Sequence, residues 1–193
     1  MHPAEHRGLR ELYVTARQLR QHWRKLADRL DAVGAAGAEE LRAGSEEART
    51  LLSELTDVTA ARGLHGKPAA QGFGARLAGI RSTLVDPTLE VNQAVRLAVL
   101  DVQHVVTMLG YLARLAARRE DEELRAFLVA WEERLRAHED VLRTLAIGLG
   151  DSPDEAIAPS TPGVGGRAGH GLAAKLGTVG EWLDGRAGRS SDR

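Results

Sequence analysis

Near the start of the chain, apolar residues recur at alternating intervals of three and four: Leu9, Leu12, Ala16, Leu19, Trp23, Leu26 and Leu30. That interval keeps side chains on one face of a helix and predicts a first helix from about Glu5 to Val33. Gly34 and Gly37 interrupt it. A second seam, Leu41, Ala48, Leu51, Leu52, Leu55 and Val58, predicts a helix from about Ala38 to Arg62. So short a break between two amphipathic helices implies an antiparallel hairpin. The first helix is richer in basic residues and the second in acidic ones, as suits neighbours.

The glycine-rich stretch Gly63 to Gly79, with Pro68, reads as a connection long enough to cross a bundle, and a short helical piece near Arg76 to Leu84 follows it. Asp86 and Pro87 have the chemistry of an N-cap and first helical residue, so a third helix is expected from there to about Arg119. A fourth opens with the acidic run Glu120 to Glu123, which complements the helix dipole. Its seam is Leu124, Leu128, Trp131, Leu135, His138, Leu142, Leu145 and Leu149, and Gly148, Gly150 and Pro153 stop it.

The pattern therefore predicts an all-α fold: an antiparallel four-helix bundle over residues 1–150, with a long connection between helices two and three. Residues 151–171 are rich in Pro, Gly and Ser and read as a flexible linker. Residues 172–193 form a short amphipathic tail element, in which Leu172, Leu176, Val179 and Leu183 make a stripe beside Trp182. Gly177 and Gly180 weaken it as a helix.

Composition narrows the chemistry. A chain of 193 residues suits one domain, and 27% charged residues with net charge -1 give no reason to expect nucleic acid or a membrane as partner. The chain contains no cysteine, so disulfides, thiolate catalysis and cysteine-held zinc are excluded, and a metal would need His, Asp and Glu. The N-terminal stretch lacks a secretory apolar core, and the most apolar window, Leu97 to Leu112, is broken by Asp101, Gln103 and His104. A cytoplasmic location is expected. Phosphate-binding loops, nucleophile elbows and dinucleotide fingerprints do not occur.

Candidate chemistry centres on Asp101 and His104, one turn apart in that apolar window, and on His138 in the seam of helix four. Counted outward from the turn near Glu120, at about 1.5 Å per residue, Asp101 and His138 lie at the same depth, roughly 28 Å away. An acid and a histidine at i, i+3 level with a second histidine can direct metal ligands into a bundle core. The alternative is a buried Asp–His pair that fixes helix register, each group satisfying the other, and this is the more common use of a core histidine. His2, His6, His65 and His170 add no ligand cluster, and His22 neighbours the Trp23 seam without a matching acid. Helix three is apolar on nearly every face, so a homodimer or higher oligomer is expected to cover part of it.

Several segments resemble the ferritin-like superfamily, in particular its bacterial YciF-like stress-response branch. Glu11 to Leu19 is similar to that branch's opening helix, His65 to Pro68 falls at its break after helix two, Asp101 to Val106 resembles its helix-three motif, and Phe127 to Ala146 its last helix. The resemblance implies a four-helix ferritin-like fold over about Leu9 to Ala146. Where the family places a glutamate on helix one this chain has Arg17, and where helix three has glutamates it has Gln103 and Val106; on helix four Glu133 is kept but is followed by Arg134 and Leu135, so that His104 alone survives cleanly. It thus implies a bundle without a working di-iron centre: a structural or interaction protein, with no cofactor and no enzymatic activity expected. The alternative is an iron- or manganese-binding oxidase or storage protein using Asp101, His104, Glu133 and His138, with Glu47 or Glu54 added. The tail segment Leu176 to Leu183 also resembles peptides that dock ferritin-like cargo inside encapsulin shells. That implies a protein partner bound through Leu172 to Leu183, the other reading being a fifth helix folded back on the bundle.

Overall fold

The computed structural model describes residues 2–64 and 89–162. The expected helical piece at Arg76 to Leu84, the Asp86–Pro87 cap and the tail element 172–193 lie outside the described residues. The described chain is all-α: α1 (Pro3–Ala32), α2 (Ala38–Ala60), α3 (Val91–Ala117) and α4 (Glu122–Gly148), then a 3-10 turn at Leu149–Asp151 and one short helix, α5 (Pro153–Ala156).

Each long helix has a local reason to begin or end where it does. At the start of α1, the His2 imidazole accepts a hydrogen bond from the Ala4 N–H at 3.1 Å and the Glu5 carboxylate accepts one from the His2 N–H at 3.3 Å. The two bonds satisfy donors that the first turn leaves without helical acceptors. Gly37 then lets the chain turn into α2 at φ 95°, a left-handed conformation that suits glycine. Helix α4 is capped by Asp121, whose carboxylate accepts from the Leu124 N–H at 3.0 Å.

Helix α3 begins later than the sequence suggests. Leu89 and Glu90 are non-helical, and Glu90 is the N-cap, with the Gln93 side chain accepting from its N–H at 3.3 Å. Asp86 and Pro87 therefore do not cap this helix. Competing contacts with later residues fix the start: the Val91 N–H donates to the Ala158 carbonyl at 2.9 Å, and the Ser160 N–H to the Leu89 carbonyl at 3.0 Å. Residues 151–162, at the head of the expected linker, are thus tied to α3, with Glu90 and Pro159 in an isolated antiparallel bridge.

Contacts between helices show a consistent register. Arg20 is joined to Ser45, and Asp31 to Arg42, between α1 and α2. Glu5 pairs with Arg119, Thr15 reaches Met108 and Trp23 reaches Ala98 between α1 and α3. Glu47 pairs with Arg134, and Arg62 with Asp121, between α2 and α4. Asn92 donates to the Ala146 carbonyl and Gly110 lies against the Glu132 carboxylate between α3 and α4. In every pair the number rises along one helix as it falls along the other, so these neighbours are antiparallel, and α2 and α3 run the same way. The core between them includes Leu12, Trp23, Leu41, Leu51, Val102, Leu109, Leu128, Leu135 and Leu142. Helix α3 is long and apolar enough by composition to cross a membrane, yet its Val95, Val102 and Leu109 side is packed into this core.

Candidate functional site: a polar layer around Trp23

Asp101 does not face His104. Its Oδ2 meets Nδ1 of His22 on α1, an acid–imidazole pair between helices, whereas His104 is exposed on the outer side of α3. His138 on α4 meets Oε1 of Glu40 on α2 through its Nδ1. The four side chains of these pairs are between 11% and 26% exposed, enough burial to make an unpaired carboxylate costly. Each pair satisfies that demand by joining two helices.

Trp23, the residue after His22, stands between the pairs. It is fully buried, and its indole N–H donates to the Ala98 carbonyl of α3 at 3.3 Å. The His138 ring lies edge-on to it, with centroids 6.3 Å apart and planes at 76°, a favourable aromatic arrangement. Its six-membered ring fills the space that a side chain at Gly44 of α2 would occupy, and a Cβ there would overlap Cζ3 and Cε3. Trp23 therefore touches α2, α3 and α4 at one level, with an acid–histidine pair on each side.

The expectation that Asp101 and His138 share a depth agrees with this layer; of the four candidate ligands, Asp101 and His138 lie in it with separate partners, and His104 and Glu133 are not brought to them. Glu133 and His104 are exposed, and so is Arg17. Glu47 is paired with Arg134 at 2.5 Å, and Glu54 accepts the Trp131 indole N–H at 2.9 Å. Among the described residues no group of three or more His, Asp or Glu side chains converges as a metal site would require. A carboxylate-bridged di-iron centre draws on inward-facing acids from several helices, and Glu133 is exposed while Asp101 is paired with His22. His22 and Glu40 were missed because the spacing of a pair along the chain says nothing when its members sit on different helices. The signal that pointed to them was indirect: a histidine next to a seam tryptophan, and an acid in the first turn of α2.

The opposite end of the helices carries a second polar cluster. Arg62, just past α2, donates through Nε and Nη2 to both carboxylate oxygens of Asp121, at 3.1 and 2.9 Å. The Arg62 hydrogen bond is the main reason the Asp121 carboxyl is held below its ordinary pKa, and burial opposes it. The same bond raises the Arg62 guanidinium above its own ordinary value. Nearby, the buried Glu5 pairs with Arg119 at 2.8 Å. These contacts fasten helix ends.

Comparison with protein-family models, with curated proteins and with solved structures finds no match for this chain.

Proposed function

We propose that the protein is a ferritin-like four-helix bundle without a di-iron centre, acting as a structural or interaction protein. What supports the architecture is the direction of the helices. Helices α2 and α3 run the same way, so the chain between them has to return along roughly 35 Å of helix, as a crossover connection does in ferritin-like bundles. One observation carries the functional reading: Asp101 and His138, the two inward candidates, are bound to His22 and Glu40 with Trp23 wedged between the pairs. The level of the bundle where ligands would meet is occupied by side chains that hold helices together.

The test is metal content. Protein purified without chelator, alongside a His104→Ala/His138→Ala variant, is expected to carry no stoichiometric iron or manganese and to show the same melting temperature with and without added Fe(II). Stoichiometric metal in the parent and its loss in the variant would overturn the proposal in favour of a metal-binding bundle.

A further inference from the structure

Helix α3 has a second seam on its outer side. Leu97 is half-buried, Leu100, His104, Thr107 and Tyr111 are exposed, and their spacing alternates between three and four. Leu100 and Tyr111 are 55% and 52% exposed, large apolar groups placed where a helix facing only water would carry charge. The nearest charged residue at the far end of this stripe is Arg114.

The chain itself leads to this stripe. Ser160 is bound to the Leu89 carbonyl through both its N–H, at 3.0 Å, and its hydroxyl, at 2.8 Å, so Pro162 leaves beside the start of α3. We propose that the segment Leu172 to Leu183 docks on the outer stripe of its own α3, running parallel to it.

Three features support this occupant. Gly163 to Gly171 is a spacer of about nine residues, able to reach roughly 30 Å, whereas the stripe begins about 10 Å along α3 from Glu90. The seam Leu172, Leu176, Val179 and Leu183 matches the distance from Leu100 to Tyr111, about 16 Å each at helical rise. Placing Leu172 beside Leu100 brings Leu176 level with His104, Val179 with Thr107 and Leu183 with Tyr111, while Lys175 falls level with the neutral Gln103; beyond the stripe Asp184 and Arg186 both fall near the level of Arg114. A second copy of α3 laid antiparallel on the same stripe would bring Arg96 of one copy near Arg114 of the other at both ends, with no acidic residue in the stripe to offset them. The inference does not depend on whether the bundle holds a metal, and it locates the tail of the interaction reading when no partner is bound.

The absence of native cysteine makes disulfide trapping a clean test. His104→Cys with Leu176→Cys, oxidised in the full chain, is expected to give an intramolecular disulfide at a rate independent of protein concentration. That rate should be at least about tenfold above Arg17→Cys with Leu176→Cys, since Arg17 is exposed elsewhere on α1. Adding Leu183→Asp should remove the difference. Equal rates for the two pairs would overturn the proposal. So would disulfide-linked dimers as the main product, which assign the stripe to a second copy, or preferential trapping of His104→Cys by Leu77→Cys, which assigns it to the connection between α2 and α3.

Discussion

Trp23 and Trp131 are both buried and both donate their indole N–H, yet their surroundings differ in kind. Trp23 donates to a carbonyl inside α3 and fits against Gly44 and His138, so every neighbour is a fixed part of another helix. Trp131 donates to Glu54, an exposed residue, and carries the Arg134 guanidinium 3.8 Å above its ring. Its polar partners can turn back to water. The same residue type thus serves once as a wedge that sets where helices meet and once as a lid at the edge of the core.

The difference can be broken by substitution. Trp23→Ala should cost about 3–5 kcal/mol, read from the urea unfolding midpoint, because the space it leaves is walled by three helices. Gly44→Ala should cost about 1–3 kcal/mol, since the added methyl meets the indole ring itself. In a Trp23→Leu background that second penalty should largely disappear, and additive costs would show that the two residues are not coupled.

Asp121→Ala should have a smaller effect, about 1 kcal/mol near neutral pH, from loss of the α4 cap together with its bond to Arg62. Its pH dependence has a definite sign. Asp121 ionises at lower pH in the folded chain than in the unfolded one, so its stabilisation is complete above the ordinary carboxylate range, about 4, and is lost as pH falls through the depressed value. The stability gap between parent and variant should therefore close in acid; a gap that is constant from neutral pH into acid would remove the ionised carboxylate from the account.

Trp131→Phe should be the mildest, at most about 1 kcal/mol, because the ring stays buried and the Glu54 carboxylate regains water. A loss as large as that of Trp23→Ala, measured in the same urea titration, would abolish the contrast between the two tryptophans.

Much of the fold was legible from pattern. The seam from Leu9 to Leu30 gave α1 to within two residues at either end, and Ala38 begins α2 as expected. The start of α3 was misplaced because Asp86–Pro87 is a sound local signal, while the deciding contacts come from Ala158 and Ser160, far along the chain. The polar layer was half legible. Depth along a helix follows from residue count, so Asp101 and His138 could be set level with each other. Which way a side chain turns depends on the rotation of its helix, so His104, one turn from Asp101, faces outward instead of completing a site.

The sequence alone determines the all-α character of the described residues and the approximate extent of α1, α2 and α4, because a repeat of three and four places apolar residues on a single face whatever lies opposite. It also determines that any metal would have to be held without cysteine. Only the tertiary structure decides which acid meets which histidine, since His22–Asp101 and Glu40–His138 are pairs made by helix adjacency and rotation, to which close packing such as that of Trp23 against Gly44 contributes.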